Sequence, residues 1–150
     1  PLADAISIDT EPRFSPDGKH IFFTSDRGGT PQIYRIGMNG GEVERITFEG
    51  DYNTTPRIAP DGHWLAYVSK HDGAFRLAIL DLATRQVRYI ASSEEIESPT
   101  IAPNGRLIAY TTRVGEGSFL EFTTPEGGFR RRIAIAEGAL REPAWGPFLQ

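Results

Sequence analysis

The side chains that could make or break bonds are few and badly spaced for it. The three histidines, His20, His63 and His71, have no metal-ligand spacing. There is no cysteine, which excludes zinc fingers, iron–sulfur ligation, thiol catalysis and a disulfide framework. No Gly-x-Ser-x-Gly elbow is present to raise a serine nucleophile. Gly115-Glu116-Gly117-Ser118 lacks a following helix pattern to complete a phosphate cradle. Neighbouring acids such as Glu94-Glu95 seldom converge on one substrate. The sequence therefore predicts no catalytic residue, no cofactor and no metal. What recurs is a group of carboxylates, hydroxyls and an amide just ahead of a proline. These groups are Asp9-Thr10-Glu11 before Pro12, Asn53-Thr54-Thr55 before Pro56, Glu97-Ser98 before Pro99 and Arg141-Glu142 before Pro143. Such groups bind: they take hydrogen bonds from Lys, Arg and backbone amides.

A repeat holds these clusters at fixed intervals. Glu11-Pro12-Arg13-Phe14-Ser15-Pro16-Asp17-Gly18 returns as Thr55-Pro56-Arg57-Ile58-Ala59-Pro60-Asp61-Gly62 and as Ser98-Pro99-Thr100-Ile101-Ala102-Pro103-Asn104-Gly105. Glu142-Pro143-Ala144-Trp145-Gly146-Pro147 begins a fourth copy. The leading prolines stand 44, 43 and 44 residues apart. After each turn comes an apolar run, at Ile21-Phe22-Phe23, Leu65-Ala66-Tyr67 and Ile108-Ala109-Tyr110, ending in Ser25, Ser69 or Thr112. A second run follows at Ile33-Tyr34-Arg35-Ile36, Leu77-Ala78-Ile79-Leu80 and Phe119-Leu120-Glu121-Phe122, then a turn and a last strand at 43–47, 87–91 and 130–133. Asp-Gly, Asn-Gly and Gly-Gly pairs supply the positive φ of tight hairpins. Apolar residues at consecutive positions mark strands covered on both faces.

Four antiparallel strands per repeat, each copy covered by its neighbours, predict an all-β chain of β-propeller blades. The blades fall at about residues 11–53, 54–97 and 98–141 of one partial propeller domain spanning 1–150, with 142–150 the first strand of a further blade. Two sheets stacked as a sandwich are the alternative, although a sandwich needs no repeat of this identity. Known rings have roughly four to eight blades. The first and third blades are therefore expected to leave an apolar face uncovered, closed by further chain or by copies of this chain. The chain opens at Pro1 with neither Met nor a signal peptide and reads as a piece or a processed product.

Lys and Arg number 16 against 20 Asp and Glu, a net charge of −4, and nonspecific nucleic-acid binding wants the opposite balance. No apolar run approaches the ~20 residues of a membrane helix. Arg130-Arg131-Arg132 is the one basic run, expected as a solvated outer strand that opposes sheet-to-sheet association. In a propeller, the links from one blade's last strand to the next blade's first strand ring one mouth of the channel. Here those links are 6–11, 48–55, 92–98 and 136–142, and they add Glu49, Asp51, Glu94, Glu95 and Glu137 to the pre-proline clusters. This rim is mostly acidic, so it suits a partner that presents cations and backbone donors.

The pattern Pro-x-x-(Ser/Ala)-Pro-(Asp/Asn)-Gly-x-x-(Ile/Leu)-(Ala/Phe)-(Tyr/Phe) resembles the PD40 repeat, a WD40-like propeller repeat. Across the chain, Thr10-Glu11-Pro12, Phe23-Thr24-Ser25-Asp26, Pro31-Gln32-Ile33-Tyr34, Arg45-Ile46-Thr47-Phe48-Glu49-Gly50 and Pro143-Ala144-Trp145-Gly146-Pro147 resemble the TolB family of the Tol–Pal system. The resemblance implies the C-terminal half of a six-bladed propeller and a non-enzymatic periplasmic adaptor. It implies binding of the lipoprotein Pal at one mouth and contact with other Tol components. The complex keeps the outer membrane intact during cell division, and colicin segments exploit the same surface in some members. It also implies that Thr10-Glu11 contact Pal, with Thr55, Ser98 and Glu142 equivalent by repeat position. Two other readings stay open at this point: a propeller that gates a prolyl-oligopeptidase-like hydrolase, and a blade set that self-assembles without a partner.

Overall fold

The structure, a computed structural model, describes residues 12–135. Every regular element in that span is a strand, and the strands form three four-stranded antiparallel sheets. The first sheet holds β1 (Arg13–Phe14), β2 (His20–Ser25), β3 (Gln32–Gly37) and β4 (Gly40–Arg45). The second holds β5 (Tyr52–Ile58), β6 (Trp64–His71), β7 (Ala74–Asp81) and β8 (Val87–Ser93). The third holds β9 (Glu95–Ile101), β10 (Ile108–Val114), β11 (Gly117–Thr123) and β12 (Arg130–Ala134). Strand order within each sheet follows the chain, the meander of a propeller blade. The expected strand at 142–150 lies outside the described residues.

The Pro-Asp-Gly corner builds the same turn three times. Gly18, Gly62 and Gly105 take φ of 73°, 78° and 73°, where a side chain is penalised. Ahead of them Asp17, Asp61 and Asn104 each accept the backbone amide of the residue after the glycine, at 2.9, 2.8 and 2.8 Å. The corners also nest on one another. A Cβ on Gly62 would lie 3.8 Å from Cδ of Pro16, and one on Gly105 would lie 3.7 Å from Cδ of Pro60. Elsewhere Asp72 and Gly73, at φ 51° and 80°, form the turn between β6 and β7, and Gly115, at φ 59°, starts the turn between β10 and β11. The Gly115–Ser118 run is thus a hairpin corner.

Apolar cores fill the spaces between sheets. Phe22, Ile33 and Ile46 meet Leu65, Tyr67 and Leu80 between the first and second sheets. Val68, Leu77 and Ile79 meet Ile96, Ile108 and Tyr110 between the second and third. Each such side chain contributes roughly 1.5–3 kcal/mol by leaving water. The middle strands β2, β6 and β10 therefore read as nearly continuous apolar runs. The first strands are axial: β5 touches β1, and β9 touches β5. On the far face of the first sheet Phe23, Tyr34 and Ile36 form a third buried cluster. The expectation that this face stands open does not hold for these residues. The Arg27–Gly28 turn lies over Tyr34, with the guanidinium 5.8 Å from the ring centroid and a Cβ on Gly28 only 2.9 Å from the Tyr34 hydroxyl.

The basic run lies on an exposed edge strand, as expected, and is also tied inward. Arg131 is exposed, but Arg130 and Arg132 both turn to Glu121, a carboxylate only 3% exposed, at 3.6 and 2.8 Å. Tyr110 donates its hydroxyl to the same carboxylate, and Arg130 reaches the carbonyl of Ile90 in the second sheet. A pleated strand puts alternate side chains on opposite faces, so residues 130 and 132 share the side that meets the neighbouring blade.

Candidate functional site

The axial strands are irregular at one position, and it is the same position in two repeats. The register between β5 and β6 slips between Thr54 and Arg57. The register between β9 and β10 slips between Glu97 and Thr100. Within those slips Thr55 and Ser98 take φ of 54° and 53°. Each precedes a proline, which narrows its backbone choices further. A non-glycine residue in the left-handed region costs of order 1–3 kcal/mol, and a β-branched one is the least suited. A bulge re-aims the side chain it displaces, here at the midpoint of each axial strand.

The sequence ahead of the first bulge is held by a buried polar clasp. The Gln32 side-chain amide donates to Thr30 Oγ1 at 3.1 Å and to the Gly50 carbonyl at 3.2 Å. Its Oε1 accepts from Thr47 Oγ1 at 2.6 Å and from Asn53 Nδ2 at 2.8 Å. Asn53 Nδ2 also donates to the Glu49 carbonyl at 2.6 Å, and the Asn53 amide donates to the Pro31 carbonyl at 2.9 Å. Gln32 thus pins both the link 46–51 and the start of β5 to the first sheet. The second link is shorter, a single residue, Glu94, between β8 and β9. There Thr112 Oγ1 donates to Ser93 Oγ at 2.5 Å, and Ser93 Oγ donates to the Arg113 carbonyl at 2.9 Å.

Three of the rim's carboxylates have partners within the chain. Glu49 accepts from the Tyr89 hydroxyl at 3.2 Å, and burial together with that carboxylate pushes Tyr89 upward in pKa, so it remains a donor. Glu94 accepts the Gly115 amide at 3.2 Å, and Glu95 faces Arg113 at 3.5 Å. Cations also sit over aromatic rings nearby: Arg45 over Phe48, Lys70 over Phe75 and Arg76 over Tyr89, at 4.8, 5.2 and 5.0 Å. Several rim carboxylates are therefore already engaged before any partner arrives.

Of the expected partner contacts, Asp9, Thr10, Glu11, Arg141 and Glu142 lie outside the described residues. Asn53 is fully buried and Thr54 nearly so, so in this structure neither side chain is open to a partner; Asn53 holds the strand ahead of Thr55 through Gln32 and the Glu49 carbonyl. Thr55 is half-buried and donates to the Thr54 carbonyl at 2.7 Å. Glu97 is exposed, and its carbonyl accepts from Thr111 Oγ1. Sequence reading missed Gln32 and Glu121. Glu121 is a polar residue inside an apolar strand run, and Gln32 stands at the start of one; those positions were the available signal. Among the described residues no group of histidines and carboxylates could hold a metal ion, and no helix is long and apolar enough to cross a membrane.

Comparison with known proteins adds to this geometry. The family model for the TolB β-propeller domain, built of PD40 repeats, matches residues 1–149. The Tol-Pal system protein TolB of Bordetella pertussis is 46% identical over 141 residues, covering 94% of this chain and 32% of the relative. That of Nitrosospira multiformis is 47% identical over 117 residues, covering 76% of this chain and 27% of the relative. The crystal structure of TolB from Acinetobacter baumannii superposes with a TM-score of 0.87 at 40% identity, over 96% of this chain and 36% of that one. The chain spans about a third of the length of the relatives it matches.

Proposed function

We propose, from the premise that this chain belongs to the TolB β-propeller family, that it is a non-enzymatic protein-binding part of the Tol–Pal cell-envelope system. In this reading the rim formed by the inter-blade links and the pre-proline bulges binds the periplasmic lipoprotein Pal. Other Tol components and colicin segments are further partners of the same class. Binding there supports outer-membrane integrity and cell division, and places the chain in the periplasm.

The observation that carries the reading is the repeated left-handed bulge at Thr55 and Ser98. Strain kept at the same place in two blades argues for a role, because nothing in the packing of a regular axial strand requires it. By repeat position Glu11 and Glu142 stand at the same point of their blades, ahead of Pro12 and Pro143. The four positions then offer two hydroxyls and two carboxylates to a partner's cations and amides. Self-association that closes a ring is a separate proposal, supported by the exposure of Phe129 and Ile133 on the third sheet and read from molecular mass in solution.

Calorimetric titration of the purified chain with a Pal periplasmic domain tests the reading. Saturable binding that weakens tenfold or more with Glu11→Lys and with Ser98→Lys supports it. Saturable binding unaffected by either substitution moves the contact elsewhere, and absence of binding by the folded chain overturns it.

A further inference from the structure

Three hydroxyl side chains stand at matching repeat positions in the second strand of their blades: Ser25, Ser69 and Thr112. All three are buried. Ser25 Oγ accepts the Arg27 amide at 3.1 Å, and Thr112 Oγ1 donates to Ser93 Oγ at 2.5 Å. Ser69 Oγ, 1% exposed as a residue, has no well-formed hydrogen bond in the protein, its interaction with the Tyr89 hydroxyl falling short of one. Neither has Asn53 Oδ1, on a residue with no exposure at all. A buried polar atom without a partner costs about 1–3 kcal/mol, so two in one place call for an explanation.

The two atoms belong to one locus. Asn53 and Ser69 are register partners across β5 and β6. Directly opposed residues have Cβ atoms about 4.5–5.5 Å apart on one face, a separation that one solvent molecule spans. Gly50, at φ 84°, borders the same space. A Cβ there would lie 3.2 Å from Ser69 Oγ, 3.4 Å from the Lys70 carbonyl and 3.8 Å from Asn53 Nδ2, polar atoms all.

The neighbouring blade indicates what chemistry fits. Counted back from the axial strand, Gly50 and Ser93 are equivalent, since β5 starts at Tyr52 and β9 at Glu95. In the second link Ser93 supplies the hydroxyl that meets Thr112. In the first link glycine supplies none. We propose that an internal water molecule takes the place of that hydroxyl, bound by Ser69 Oγ and Asn53 Oδ1 between the first and second blades. The water donates one hydrogen to Asn53 Oδ1, which can only accept, and exchanges the other bond with Ser69. Buried water with two to four polar partners is an ordinary structural component of folded proteins.

A crystal structure of the chain, at a resolution that orders internal solvent, tests this directly. The expected result is one density peak within hydrogen-bond distance of both atoms. Overturning results are no peak there, or a Ser69 hydroxyl rotated onto a protein acceptor. In solution, water-to-amide magnetisation transfer at Gly50 and Asn53 should report a long-lived water. The signal should fall severalfold in Ser69→Ala, which removes one oxygen and leaves the backbone as it is. An unchanged signal in a folded Ser69→Ala chain excludes Ser69 as a ligand and overturns the proposal.

Discussion

Arg132 Nε donates to Glu121 Oε2 at 2.8 Å on the face of the third sheet that meets the second. The pair is asymmetric: Glu121 is 3% exposed, whereas the arginine side chain is 45% exposed. The desolvated charge is therefore the carboxylate, and it is matched by two guanidinium groups and the Tyr110 hydroxyl. Removing the carboxylate leaves arginines that can return to water but a buried phenol that cannot. Burial, and then the hydrogen bond to Glu121, push Tyr110 far up in pKa, so its proton stays in place and needs an acceptor. We predict that Glu121→Leu lowers stability by about 2–3 kcal/mol and Glu121→Gln by about half as much, because the amide oxygen still accepts from Tyr110. In the Tyr110→Phe background the loss from Glu121→Leu should shrink by about 1 kcal/mol or more. Urea denaturation of the four variants gives the coupling, and strict additivity refutes it.

Repeat, strand count and sheet order were legible because each has a local cause. Pro-Asp-Gly fixes a corner, and the runs around Phe22, Tyr67 and Tyr110 fix strands buried on both faces. The polar groups inside the blades were not legible in the same way. Gln32 finds its partners at Thr47, Gly50 and Asn53, residues that come near only when the link folds back over the first sheet. Glu121 looks like an exposed strand residue until β12 brings Arg130 and Arg132 beside it. The signed residues along the links were legible, but not that Glu49, Glu94 and Glu95 meet the Tyr89 hydroxyl, the Gly115 amide and Arg113.

The left-handed bulges make a second test. Thr55 is β-branched and Ser98 is not, yet both sit near φ 54°. Glycine removes the steric penalty at each and loses some backbone entropy in return. Thr55→Gly should stabilise the fold by about 1 kcal/mol, and Ser98→Gly by less. Both should weaken Pal capture if the strain presents the rim. Thermal unfolding alongside titration separates the two effects, and a destabilised Thr55→Gly would mean that the hydroxyl bond to the Thr54 carbonyl outweighs the strain.

Acid should loosen the outer edge between the first two blades. Desolvation pulls Glu44 upward, but bonds from Arg35 and Arg85 outweigh it and hold the carboxyl below its ordinary 4.5. A depressed folded-state pKa contributes stability above the unfolded value and loses it as pH falls through the folded one. Asp17 and Asp81 are also held low, by the Ser15 hydroxyl and Lys19 amide and by the Thr84 and Ala83 amides respectively. Stability should therefore be flat toward neutrality and decline below about pH 4.5. Glu44→Gln should cost under about 1 kcal/mol at pH 7, because the pair is half exposed, and progressively less as pH falls through the lowered folded-state pKa. Chemical denaturation from neutral to acid pH checks it, and a Glu44→Gln penalty that does not shrink with acid rejects the ion-pair account.

Gln32 should be the most demanding position in the link. Leucine fills a similar volume but takes the acceptor from Thr47 and Asn53 and the donor from Gly50. Thr47 still has the Ile33 amide, and Asn53 still has the Glu49 carbonyl, so the loss is partial at each. We expect Gln32→Leu to cost about 2–4 kcal/mol. Gln32→Glu is more informative. The carboxylate keeps the acceptor for Thr47 and Asn53 but sets a charge against the Gly50 carbonyl, in a site without exposure to water. Its folded-state pKa must rise, so the variant should be weak at pH 7 and recover as pH falls through that raised value, when the protonated carboxyl can donate to Gly50. Wild type should do the reverse over the same range, declining toward acid through Glu44, Asp17 and Asp81. Opposite slopes of unfolding midpoint against pH, with faster hydrogen exchange at Thr54 and Thr55 only in the ionised Gln32→Glu chain, would establish that this one buried amide fixes the rim strand. Parallel slopes would mean that the start of β5 is held by the Asn53 amide bond to Pro31 and the packing around it, with Gln32 merely filling space.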